Sequence, residues 1–126
     1  MTTPKIESVM PSIRVEDVPR AIEFYHDSLG FAPVFRNGVT FAIVRRDGIE
    51  LGLMKAAYTE CKPGGSACYC KLSQGIDTLY AGYQQRGVTI LHPLRDESYG
   101  MREFMIADPD GNTINFGQPL HPAGPD

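Results

Sequence analysis

Ser12-Ile13-Arg14-Val15-Glu16-Asp17-Val18-Pro19-Arg20-Ala21-Ile22-Glu23-Phe24-Tyr25, closing on Leu29-Gly30, decides the fold of this chain. Ser12–Val15 alternates polar and apolar side chains as a half-buried strand does. Asp17 can then cap a helix, and Pro19 sits in its first turn, where a missing N–H does no harm. Val18, Ile22, Tyr25 and Leu29 follow at helical spacing, so one apolar stripe faces the core. Gly30 supplies the left-handed residue that ends the helix. The same plan returns later. Cys68-Tyr69-Cys70-Lys71-Leu72 is strand-like, Ile76, Leu79, Tyr80 and Tyr83 form a second stripe, and Gly87 ends it. Gly75 lies 58 residues after Asp17 and Gly87 lies 57 after Gly30.

Each helix is followed by further strands. Val39–Arg45 and Ile49–Lys55 are joined by Arg46-Asp47-Gly48, and Asp-Gly is a strong hairpin signal. Met101–Ala107 and Thr113–Gly117 are joined by Asp108-Pro109-Asp110-Gly111-Asn112, a turn by composition. Phe104 follows Phe41 by 63 residues, so about six residues are gained near His92–Gly100, which reads as an inserted loop. The order is βαβββ twice, an α+β protein of one domain over residues 1–118. Module one takes about 5–57, a Gly-containing linker 58–66, module two about 67–118, and 119–126 forms a loose tail. Neither half can cover its own sheet, so the modules pack into a curved mixed sheet with a concave cleft. Packing by exchange between two chains would make a domain-swapped homodimer.

Composition removes several function classes. With 42% hydrophobic and 21% charged residues the 126-residue chain holds enough apolar material for a core, which argues against disorder. Its uncharged apolar runs fall far short of the roughly 18 residues a membrane helix needs. The N-terminus lacks the apolar run of a signal peptide. Three cysteines, two of them at Cys68-x-Cys70, make no disulfide framework, so a reducing, cytoplasmic setting is expected. Twelve cations against fifteen acids, interspersed, argue against nucleic acid.

The stretch Ile13–Tyr25 through Leu29-Gly30-Phe31, together with Arg102-Glu103-Phe104 through Asp108-Pro109-Asp110-Gly111-Asn112, resembles the glyoxalase/bleomycin-resistance/extradiol-dioxygenase superfamily, over about Val9 to Gln118. The resemblance implies that metal-dependent members carry His on the first strand and Glu on the last strand of each module. Those positions align here to Met10, Glu50, Cys68 and Asn115. A thioether and an amide suit a hard divalent ion poorly, and two good ligands are too few for a typical zinc site. His26, His92 and His121 share no strand face. No metal and no cofactor are therefore expected.

What remains resembles the metal-free bleomycin-resistance branch, in which two aromatic rings flank a planar ligand across a cleft. That resemblance puts Tyr99 and Phe41 in those roles, although a strand Phe is also an ordinary core residue. The expected ligand-binding set is Phe41, Tyr99, Met101, Arg102, Tyr58, Glu50 and Cys68. Arg102 offers planar hydrogen bonding and Tyr58 a crevice rim. Glu50 is a carboxylate for a cationic group if it faces the cleft, and Cys68 with Cys70 forms a soft surface for flat rings if it is not simply core. The function implied is metal-independent sequestration of a small planar aromatic compound, of antibiotic-resistance type. The alternatives are a metal-dependent lyase or dioxygenase of the same superfamily, and a metabolite-binding or partner-binding module.

Overall fold

The computed structural model describes residues 2–58 and 62–121, with the side chain of Tyr58 excepted. Module one runs β1 (Ser12–Val15), α1 (Val18–Glu23), a wider helical turn (Phe24–Ser28), β2 (Ala32–Asn37), β3 (Phe41–Arg46) and β4 (Ile49–Lys55), followed by a short helical turn at Ala56–Tyr58. Module two runs β5 (Ala67–Lys71), α2 (Ile76–Gln85), β6 (Thr89–Asp96), β7 (Met101–Ala107) and β8 (Thr113–Pro119). This is an α+β protein of two βαβββ units. The strands divide into two four-stranded mixed sheets, ordered β1-β4-β3-β2 and β5-β8-β7-β6. In each, the first strand lies parallel to the last, and the others are antiparallel.

Local chemistry sets the elements as the stripes imply. The Asp17 carboxylate accepts from the backbone N–H of Arg20 at 3.0 Å, capping α1. The expected single helix to Leu29 instead widens at Phe24, where the Leu29 N–H reaches back five residues to the Phe24 carbonyl. Val18, Tyr25 and Leu29 are nonetheless fully buried, as their spacing implies. At Gly30 φ is +81°, and a Cβ there would stand 2.6 Å from a guanidinium nitrogen of Arg46. Glycine is the residue that suits both conditions.

The expected inserted loop is a strand. The eight residues of β6 exceed the six of β2, and its pairing with β7 shifts register on either side of His92. These bulges and the two extra residues of β6 take up part of the expected gain within the ladder. His92 therefore sits in β6, and only the turn Glu97–Gly100, carrying Tyr99, lies between β6 and β7. At the C-terminus β8 continues to Pro119, and Leu120 donates its N–H to the Gly100 carbonyl at 2.9 Å. Pro119 and Leu120 of the expected loose tail are thus held, and its last five residues lie outside those described, as do 59–61 of the linker.

The helices cover one face of each sheet and one apolar cluster runs through both modules, from Ile13, Tyr25 and Leu53 to Tyr83, Phe104 and Phe116. The Asp108–Asn112 turn joins the modules. Asp108, only 5% exposed, accepts from the Tyr25 hydroxyl at 2.8 Å and from the backbone and side chain of Asn112, both at 2.9 Å. Asn112 in turn donates to the Arg14 carbonyl on β1 at 2.8 Å and accepts from the Ser66 N–H at 3.0 Å. A buried carboxylate is tolerated here because four N–H and O–H donors face it.

Candidate functional site

The faces of both sheets turned away from the helices are left open. On the first sheet Ala42, Val44, Leu51 and Leu53 are buried toward α1, so alternation turns Phe41, Ile43, Glu50 and Met54 outward. Phe41 meets the half-exposed Phe35 with ring centroids 6.2 Å apart. Both Phe41 and Met10 close over Gly52, where a Cβ would come within 3.1 Å and 3.2 Å of them. Glu50 pairs with Arg45, its register partner on β3, at 3.0 Å from Nε. The first open face is therefore an apolar patch of Phe35, Phe41 and Met10 with the Arg45–Glu50 ion pair beside it.

On the second sheet Phe104, Ile106, Ile114 and Phe116 are buried toward α2, which turns Tyr69, Met101, Glu103, Met105 and Asn115 outward. Here the Glu103 carboxylate gathers two phenols. Tyr69 donates to it at 2.8 Å, and Tyr99 donates to its other oxygen. Both hydroxyls stay protonated well past neutrality. The Glu103 hydrogen bond pushes the Tyr99 phenol up to about 12, and desolvation with the same carboxylate raises Tyr69. Tyr69 also lies across Gly117, where any Cβ would overlap its hydroxyl. Arg95 stands opposite Glu103 in register and bonds Glu97 at 2.5 Å.

The structure sorts the expected residues by face. Tyr99 and Met101 share the second open face, and Phe41 and Glu50 share the first. Arg102 is a correction: it lies on the helix-covered side, held by Asp96 at 2.7 Å and by Asp77 of α2 at 3.2 Å. Cys68 also belongs to the helix side, paired in register with Ile114 and packed against the core beside Cys70. The open-face residue of β5 is Tyr69. The repeat offset of 58 is out by one, because outward residues of β1 are even-numbered and those of β5 odd, and one step reverses a strand face. Tyr58 ends the short helical turn, and its side chain lies outside the described residues. Tyr69 and Glu103 were the residues missed. The signal for both was the alternation itself, with Cys68 and Cys70 inward and Arg102 sharing the parity of Phe104.

With that register, the strand positions that the resemblance assigns to metal hold Met10, Glu50, Tyr69 and Asn115: a thioether, a carboxylate already paired with Arg45, a phenol and an amide. This donor set does not fit a catalytic divalent ion. Among the described residues no group of three His, Cys, Asp or Glu side chains comes together as ligands. Among the described residues no helix is long and apolar enough to cross a membrane.

Known proteins show the same architecture. The family model for the glyoxalase/bleomycin resistance protein/dioxygenase superfamily matches residues 5–116. A bleomycin resistance protein of Geobacillus stearothermophilus is 29% identical over 130 residues, covering 88% of this chain and 96% of that protein. A superfamily member from Sphaerobacter thermophilus superposes with a TM-score of 0.75 at 30% identity, over 90% of this chain and 98% of its own. TnmS3, an antibiotic binding protein from Streptomyces sp. CB03234, superposes at 0.76 with 27% identity, over 92% and 99%. Matched along nearly its whole length and in the pairing of its two modules, the chain belongs to the glyoxalase/bleomycin resistance protein/dioxygenase superfamily.

Proposed function

We propose that this protein sequesters a small planar aromatic compound on its open sheet faces, without a metal ion and without transforming it. The observation that carries this reading is the Tyr69–Glu103–Tyr99 constellation, two phenol rings held by one carboxylate on an uncovered sheet face. Rings fixed before a ligand arrives lose little freedom on binding, and each well-placed aromatic pair adds about 1 kcal/mol beyond burial. Phe41 with Phe35 and Met10 offers an apolar counterpart on the first sheet. In a homodimer that exchanges modules, the first face of one chain meets the second face of its partner, which brings Phe41 opposite Tyr99. The apolar side chains left exposed on these faces support such a partner. The ligand class follows relatives named for bleomycin resistance and antibiotic binding. The unsuitable donor set supports binding over metal-dependent lyase or dioxygenase chemistry, and the free thiols of Cys68 and Cys70 support a reducing, cytoplasmic setting.

Thermal denaturation of metal-stripped protein tests the reading, with bleomycin in one arm and Ni, Zn, Mn and Fe(II) in the other. Bleomycin at 100 times its Kd should stabilise the fold by about 2.7 kcal/mol, and Tyr99→Ala should erase the shift. A rise in melting temperature with a metal alone, or none with bleomycin and other planar antibiotics, overturns it.

A further inference from the structure

On the opposite side of the molecule from the open sheet faces, a cavity of about 800 Å³ lies between α2 and module one. That size falls among small-molecule sites, and the space opens to solvent on one side. Its apolar floor comes from both halves, with Leu79, Tyr83 and Phe116 from module two and Phe31 from module one. Gly82 explains part of the space. It stands inside α2, where glycine costs helix stability, yet a Cβ there would meet nothing within 4 Å. The helix thus omits a side chain where it faces the cavity.

The rim carries two guanidiniums, Arg46 and Arg86, against one carboxylate, Asp47. Both are held in place. Arg46 donates to the Leu29 carbonyl at 2.6 Å and reaches the Tyr83 hydroxyl at 3.5 Å, passing over Gly30. Arg86 donates to the neighbouring Ser28 carbonyl at 3.4 Å. The two guanidiniums are therefore anchored on adjacent carbonyls, each through one nitrogen, and a guanidinium has five N–H donors in a planar fork. Asp47 offers little neutralisation, since its side chain is 91% exposed and 3.7 Å from Arg46 Nε.

We propose that this cavity is a second ligand site, for an amphipathic monoanion. An aryl or alkyl carboxylate would seat its apolar body on the Leu79–Phe116 floor and its head at Arg46 and Arg86. A planar carboxylate matches the guanidinium fork. The site shares no residue with the open faces.

The test uses 2-naphthoate as probe, titrated into the full chain by calorimetry with backbone amide NMR. Saturable binding is expected, perturbing the Gly82 amide and at least about tenfold tighter than that of neutral 2-naphthalenemethanol, a difference equal to one good hydrogen bond to a charged group. Arg86→Met should remove about that factor. Gly82→Phe should fill the cavity and abolish binding, with Thr78→Phe, from an exposed position on the same wall, as an independent filler. Tyr99→Ala should leave naphthoate binding unchanged, which separates this site from the one read with bleomycin. No binding to the unsubstituted protein, binding that survives both fillers, or equal affinity for the neutral alcohol would each overturn the proposal.

Discussion

The Tyr25 hydroxyl donates to the Asp108 carboxylate over 2.8 Å, and with that bond the first helical segment grips the last turn of the other module, 83 residues away. Both groups are buried, and burial together with the Asp108 charge raises the Tyr25 phenol far above its ordinary range. Tyr25→Phe leaves the ring's packing and removes the bond. Urea denaturation should show a loss of about 2 kcal/mol, the range for a hydrogen bond to a charged partner, with the open faces unaltered. Asp108→Ala strips a hub from four donors and should cost clearly more.

A second prediction concerns ionisation. Tyr99 should titrate near 12 by its absorbance change, and Glu103→Gln should return it toward 10. The sign for stability follows. A phenol with a raised folded-state pKa favours the fold while it is protonated, so this contribution is intact below pH 10 and is lost as pH rises toward 12. The Glu103→Gln variant should lose stability less steeply across that window.

Much of the fold could be read from spacing, because it depends on local rules. The stripe Val18–Leu29, the Asp17 cap and the Asp47-Gly48 hairpin needed no distant partner. Which face of β5 looks outward was a different kind of question. Cys68, Tyr69 and Cys70 are all compatible with either side, since a thiol packs as a small hydrophobe and a phenol is amphipathic. Only pairing with β8 resolves them, and the one-residue error carried Cys68 into the expected site while hiding Tyr69, whereas Arg102 was chosen for its planar hydrogen bonding over its outward neighbour Glu103. The role of the Asp108–Asn112 turn was equally hidden. Its composition announces a turn, but its grip on Arg14 spans 98 residues.

Two glycines should respond differently to alanine. Gly30→Ala places a Cβ at φ +81° and against the anchored Arg46, so a loss of about 1–3 kcal/mol is expected by denaturation. Gly117 has no such backbone demand, and Gly117→Ala should instead push the Tyr69 ring off the sheet. Its signature is the Tyr69 phenol falling toward 10 as it leaves Glu103, with little change in stability.

Gly82→Ala should stabilise the protein by about 0.5–1 kcal/mol in thermal or urea unfolding, because alanine is the better helix former and the added methyl touches nothing. A loss instead would mean that the cavity side of α2 is already filled.

The clamp between modules also has an evolutionary consequence. Asn112 grips Arg14 through the carbonyl that every residue possesses, and Ser66 likewise accepts the Arg14 N–H through its hydroxyl. The junction therefore constrains Asp108, Asn112 and Ser66 by side chain while reading position 14 through its main chain. Any residue but proline at position 14 keeps both of these main-chain bonds, so exchange there leaves this pair of contacts between the halves in place.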